Sequence, residues 1–260
     1  MIKLKRFLSD LLFPPKCISC YSFCKKDLLD PCEAPLCDKC RLEWEREKAV
    51  TCAKCGRELL SCRCSSGRME KAGVSESIKL IFYQGDKETV GRRSILHLKK
   101  NRTRRAFDFF AAQLSFPLQR YMRENNLGVD NVCFCYVPRS YKSDAHYGLD
   151  QAEQLCRSLS RQLGIPYVSL FYRVGTKEAE QKTLSARERE KNVKGRFAIN
   201  ECVWKRIHSP KCIFLVDDVI TTGASISVCT KLLRERYHGE IVAVSLAKTP
   251  LLRQKGLQKV

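Results

Sequence analysis

The stretch Cys212-Ile213-Phe214-Leu215-Val216-Asp217-Asp218-Val219-Ile220-Thr221-Thr222-Gly223-Ala224-Ser225 decides the fold. Its apolar opening, Cys212 to Val216, reads as a strand buried on both faces, the pattern of a parallel sheet. The strand is expected to end in Asp217 and Asp218, followed by a short hydroxyl-rich loop with one glycine that opens a helix. This geometry aims backbone amides and the Thr221, Thr222 and Ser225 hydroxyls at one centre. The helix N-terminus adds partial positive charge there. Gly223 lets the backbone approach closely. Val219, Ile220, Thr221, Thr222, Gly223, Ala224 and Ser225 therefore form a candidate seat for a phosphate monoester. Asp217 and Asp218 suit the hydroxyls of a ribose, or a metal bound to them. A structural alternative has Asp218 and Thr221 merely start the helix. The glycine loops Gly-x4-Gly-Lys-Ser/Thr and Gly-x-Gly-x-x-Gly are missing from the sequence, so a Walker-type reading of the acidic pair lacks its partner loop.

Outward from this stretch, Val132 to Val137 and Ile241 to Ala247 read as two further buried strands. Ala152, Leu155, Leu159 and Leu163 share one helical face behind Asp150, which with Glu153 resembles a capping box, and Gly164 ends that helix. Ile226, Cys229, Leu232, Leu233 and Tyr237 form a second stripe, ended by Gly239. Strands alternating with helices predict an α/β body with a mostly parallel sheet covered on both faces.

Cysteine density divides the chain. Of 16 cysteines, 10 fall between Cys17 and Cys64, and Ser65, Ser66 and Gly67 read as a hinge. The expected organisation is a cysteine-rich head over residues 1–66 and a body over 67–260. In the head, Cys17, Cys20, Cys37 and Cys40 make two Cys-x-x-Cys pairs with a 16-residue spacer. Such pairs place thiolates on one side of a tight turn, as tetrahedral zinc requires. Cys52, Cys55, Cys62 and Cys64 form a second set with a shorter last pair. Cys24 and Cys32 are left over and could substitute in either. Disulfides or a redox role are the alternatives to structural zinc.

Lys and Arg number 48 against 28 Asp and Glu, a net charge of +20. Such an excess favours anionic partners, or is a solvated basic surface. Seven basic residues fall between Arg92 and Arg105, including Lys99, Lys100, Arg102 and Arg104. Phe107, Phe109 and Phe110 follow and could stack on unpaired bases. The stripe Phe107, Phe110, Ala111 and Leu114 reads instead as helix core. Residues 1–13 make a poor signal peptide, and no run of about 18 apolar residues occurs. A cytoplasmic protein without a membrane span is expected.

The Asp-Asp-Val-Ile-Thr-Thr-Gly string resembles the PRPP (phosphoribosyl pyrophosphate) loop of type I phosphoribosyltransferases. Resemblance extends to the cysteine-rich head, Tyr83 to Gly85, Leu98-Lys99, Val137-Pro138, Gly148 and Gln151. Gln181, Leu184, Arg189, Asn192 and Phe197 continue it, all in the order seen in the ComF family. That family of competence-associated proteins joins a double zinc ribbon to a phosphoribosyltransferase domain. One departure stands out. Where the family usually shows Arg-Gly-Phe-Asn-Gln, this chain reads Tyr147-Gly148-Leu149-Asp150-Gln151 behind His146, so a pyrophosphate contact from that arginine is in doubt.

The resemblance implies that Thr221 to Ser225 hold the 5-phosphate of PRPP, that Asp217 and Asp218 face the ribose, and that magnesium accompanies the ligand. Lys99 is a candidate for the pyrophosphate side, or else a solvated lysine. A role in DNA uptake is implied too, with single-stranded DNA and competence or DNA-processing proteins as partners. Two readings stay open: a phosphoribosyltransferase with an unknown acceptor, and a nonenzymatic adaptor that uses PRPP as a regulatory ligand.

Overall fold

The computed structural model describes residues 16–24, 35–83, 88–100, 104–139, 150–174, 197–207 and 210–250. Among them, five strands form one parallel sheet. They are β1 (Glu76–Phe82), β2 (Val132–Tyr136), β3 (Tyr167–Val168), β6 (Cys212–Ile220) and β7 (Glu240–Lys248), in the order β1-β7-β6-β2-β3. A separate antiparallel pair joins β4 (Phe171–Arg173) to β5 (Phe197–Ile199), and the short helix α6 (Glu201–Trp204) follows β5.

The sheet is apolar on both faces, and each strand splits its residues between two cores because side chains alternate. Val132, Phe134 and Tyr136 of β2 and Cys212, Phe214 and Val216 of β6 face one core. Against them pack α4 (Arg104–Glu124) and α5 (Gln151–Leu163), through Phe107, Phe110, Leu114, Leu155 and Leu159. Cys17, Ile18 and Trp44 of the head share this core, Trp44 from α1 (Asp38–Lys48). On the opposite face, Cys133, Cys135, Ile213, Leu215 and Ala243 meet Ile226, Cys229 and Leu233 of α7 (Ala224–Arg234). Met69 of α2 (Gly67–Ala72) and Phe171 of β4 complete that core. Phe107 and Phe110 are thus core residues, not stacking platforms.

Helix ends follow the expected chemistry in part. The Asp150 carboxylate accepts from the Ala152 and Glu153 amides, and Gly164 closes α5 at a positive φ of 69°. Glu153 does not complete a capping box; it accepts from Arg157 instead. Gly239 does not end α7, which stops at Arg234. It lies against the Tyr237 ring, where a Cβ would collide with the phenol.

Two strand readings need correction. β6 runs two residues beyond the acidic pair, because Val219 and Ile220 still pair with Ala247 and Lys248. β1 has no counterpart in the sequence reading; it pairs with β7 at the sheet edge although Lys79 interrupts its apolar run. Gly67 begins α2, and the head meets the sheet nearby: the Ser77 amide donates to Arg63 O at 3.0 Å. The N-terminus of α3 (Val90–Lys100) is likewise held by the head, the Glu47 carboxylate accepting from the Gly91 amide at 3.1 Å.

Candidate functional site

All five strands of the sheet are parallel, so their carboxyl ends gather at one edge, the usual place for a ligand crevice in such sheets. At the end of β6, Ile220 is buried while Thr221 and Thr222 are exposed, and Gly223 behind them is buried. The hydroxyls therefore face solvent with the backbone folded back beneath. Gly223 takes a left-handed φ of 73° and is the N-cap of α7 without any side-chain cap bond. A Cβ at this position would sit 2.6 Å from Met69 Sδ and 3.2 Å from Ser66 Oγ. Glycine is required here for its conformation and for the close approach. The Thr222 hydroxyl accepts from the Ala224 amide at 3.4 Å. Ala224 and Ser225 open α7 half-buried.

The acidic pair does not cap the helix. Asp218 is buried, and its Oδ2 accepts from Arg139 Nη2 at 2.6 Å while its Oδ1 accepts from the Val219 amide at 2.8 Å. Asp217 Oδ1 accepts from the Asp218 amide at 2.9 Å. Burial, then the neighbouring Asp218 charge, pushes the Asp217 carboxyl well above the usual carboxylate range. Asp217 is half-buried at the carboxyl edge of the sheet, where a hydroxyl or a cation could replace the solvation it has lost.

Arg139 is the residue that sequence reasoning missed. It follows Val137-Pro138 at the end of β2, and its own amide donates to Asp150 Oδ2 at 2.8 Å. One side chain, Asp150, thereby caps α5 and holds the arginine loop. The next residue, Gln151, is buried and its Nε2 reaches the Leu98 carbonyl at 3.4 Å. This contact brings the end of α3, where Lys99 lies half-exposed, toward the N-terminus of α5. Cys32, Gly85, Arg102, His146, Tyr147, Gly148, Gln181, Leu184, Arg189 and Asn192 lie outside the described residues.

In the head, the two predicted cysteine sets are each drawn together. The sulfurs of Cys17, Cys20, Cys37 and Cys40 all lie within 4.8 Å of one another, and so do those of Cys52, Cys55, Cys62 and Cys64. The two leading turns are copies of each other. The Cys17 amide donates to Ser22 O and the Tyr21 amide to Cys17 O; likewise Cys52 donates to Arg57 O and Gly56 to Cys52 O. Tyr21 and Gly56 occupy the same left-handed position, φ 63° and 68°. Four sulfurs converging from two turns fit a closed zinc site. Cys24 falls outside both groups.

The second group has an additional feature. Lys79 of β1 and Lys248 of β7 are both buried at 1% exposure. Lys79 Nζ lies 2.9 Å from Cys62 Sγ and 3.1 Å from Cys62 O, and Lys248 Nζ lies 2.9 Å from Cys64 O. Burial opposes ionisation of Cys62, but the Lys79 ammonium prevails and the thiol falls to about 6. The donor set thus suits a thiolate-bound cation, and each group could hold one zinc ion.

Among the described residues no helix is long and apolar enough to cross a membrane. No protein-family model matches the chain. It is 36% identical over 116 residues to Competence protein F of Haemophilus influenzae, covering 43% of this chain and 48% of that protein. It is 25% identical over 246 residues to the competence protein ComFC of Streptococcus pneumoniae, covering 90% of this chain and all of that one. The DNA utilization protein YhgH of Escherichia coli is 36% identical over 113 residues, 44% of this chain and 48% of that protein. The chain thus spans about half the length of Competence protein F and of YhgH.

Proposed function

Because the chain belongs to the ComF family, we propose that it binds PRPP at the carboxyl edge of its sheet and serves DNA uptake from the cytoplasm. The observation that carries the reading is the loop after β6: exposed Thr221 and Thr222 above a buried, left-handed Gly223, with Asp217 and Asp218 just before it.

Each part has a chemical task. The 5-phosphate sits against the amides of Thr221 to Ser225 at the start of α7, where the helix dipole favours negative charge. Half-buried Asp217 and buried Asp218 would meet the ribose hydroxyls. When the bond from the anomeric carbon to pyrophosphate breaks, positive charge grows on the sugar, and a carboxylate at Asp217 or Asp218 stabilises it. Magnesium, when bound with the ligand, neutralises the departing pyrophosphate. Among the described residues, Arg139 and Lys99 would supply positive charge to the same pyrophosphate, and Tyr147 stands where the family usually has its arginine. The zinc head holds its fold through metal, since a segment this small has little core of its own.

Transfer to an acceptor and regulation by the bound ligand are the two outcomes of one experiment. Isotope-labelled PRPP is incubated with magnesium and candidate bases or amines, and pyrophosphate is counted against a control carrying Asp217→Ala and Asp218→Ala. Release above the control marks a transferase; binding by calorimetry without release marks the adaptor. Absence of binding at millimolar ligand, equal in wild type and Thr222→Ala, overturns the site itself. The competence and DNA-utilization relatives support a DNA partner. The net charge of +20 supports it too and implies single-stranded DNA affinity that falls steeply with salt.

A further inference from the structure

We propose that the second cysteine group is the back wall of the phosphate loop, so that metal at Cys52, Cys55, Cys62 and Cys64 sets the position of Gly223. This rests on the zinc reading of that group and goes beyond it.

The first observation is electrostatic. Two ammonium groups buried at 1% exposure are costly to hold inside a protein unless anionic partners face them. Among the described residues their hydrogen-bond partners are the Cys62 and Cys64 carbonyls, the Ser77 carbonyl and the Cys62 sulfur. Carbonyls are neutral. Four thiolates around a divalent cation leave a doubly anionic centre, and two lysines match it. Lys79 and Lys248 are thus positioning residues for a metal-loaded site, and they fasten it to the central strands. At the first group the cation Arg93 reaches Ser19 Oγ at 2.9 Å and pairs with Glu43 at 3.6 Å.

The second observation is mechanical. Two short routes lead from the second group to the loop. After Cys64 the chain runs through buried Ser65 to Ser66 and fully buried Met69, the two side chains that fill the space a Cβ at Gly223 would need. From Lys248, the strand pairs with Ile220, and the next amide, Thr249, donates to Ile220 O at 2.9 Å. Gly223 lies three residues past Ile220, held from both sides. Loss of the metal would remove the cation that gathers the four sulfurs against Lys79 and Lys248. The 62–66 segment would then shift, taking Ser66 and Met69 off the back of Gly223. The first group packs instead into the core that holds Trp44 and Phe110.

The test uses the full zinc-loaded chain and needs no sugar phosphate. A chelator with a chromogenic indicator is added to wild type, Lys79→Met and Lys248→Met, and hydrogen exchange is followed in the peptide holding Gly223 to Ser227. The expected result is that one of the two ions leaves about tenfold faster in the variants while the other keeps its rate. Exchange around Gly223 rises as the faster ion departs. Lys79→Arg, which keeps the charge, restores slow release, and Cys20→Ser removes the first ion without moving exchange at Gly223. Release at wild-type rates in both Met variants, or unchanged exchange once the second ion is gone, overturns the proposal. A chain that carries no zinc at the outset overturns the metal reading itself, which a total metal assay shows separately.

Discussion

Arg139 and Asp218 are 79 positions apart in the chain, yet their side chains meet at 2.6 Å across the ends of β2 and β6. Both are largely buried, at 17% and 10% side-chain exposure. The pair closes the carboxyl edge of the sheet beside the candidate ligand seat.

Removing one partner of such a pair leaves the other buried and unpaired. Arg139→Ala is expected to lower unfolding free energy by about 3 kcal/mol, measured by urea denaturation. Asp218→Asn in the same chain should recover most of that loss, because the orphaned carboxylate is then neutral. Equal stability of the single and double variants would show that the arginine supports the fold by packing and not by charge.

The Asp217 carboxyl gives a pH dependence. Its folded value is raised above its unfolded one, first by burial and then by Asp218. For an acid shifted upward, the folded state binds the extra proton, so stability is greatest at low pH. It declines as pH rises from the unfolded carboxylate range through the folded value. Asp217→Asn removes this decline. The variant should match wild type near pH 4 and exceed it by about 1 kcal/mol at pH 8, while PRPP binding measured by calorimetry is lost. A variant less stable than wild type at pH 8 would contradict the assignment.

What was legible in the sequence is what repeats or clusters along the chain. The strand-loop-helix string at 212–225, the helix from Asp150 to Gly164 and the cysteine pairs each sit within a few residues and follow local rules. Arg139 did not stand out, because it is one basic residue among 48 and its partner is remote in sequence. β1 was hidden for a related reason. Lys79 breaks the apolar run Ile78 to Phe82, and a lysine in a strand normally marks an exposed face. Only the three-dimensional contact with Cys62 explains it, although a lysine inside an otherwise apolar strand is a signal that could be sought. Lys248, at the end of β7, carried no such signal.

Gly223 offers a prediction in which sterics and function separate. Gly223→Ala forces a side chain into a left-handed backbone and against Met69, with an expected cost of about 2 kcal/mol by thermal or urea unfolding. Met69→Ala alone empties a fully buried site and costs a comparable amount. In the double variant the steric part of the Gly223→Ala penalty disappears, since the new methyl group enters the space Met69 vacated. The combined loss should therefore fall short of the sum by about 1 kcal/mol. Strict additivity would mean that the backbone conformation, and not Met69, makes glycine necessary.

The two sulfur groups predict a stoichiometry that distinguishes ligands from bystanders. Cys40 is buried within the first group and Cys62 within the second, whereas Cys24 stands apart, its thiol pushed up to about 11 by burial first and by nearby sulfurs next. Zinc takes thiolates gathered at one centre, and Cys24 belongs to neither gathering. Wild-type protein should carry about two zinc ions per chain and Cys24→Ser the same number. Cys40→Ser and Cys62→Ser should each retain about one. The losses should also differ in consequence. Trp44 packs beside the first group in the shared core, so Cys40→Ser should change tryptophan fluorescence, while Cys62→Ser, bonded to Lys79, should leave that signal nearly intact. Metal analysis that finds two ions in Cys40→Ser, or a loss in Cys24→Ser, would mean that Cys24 serves as a ligand and the first group is wrongly drawn.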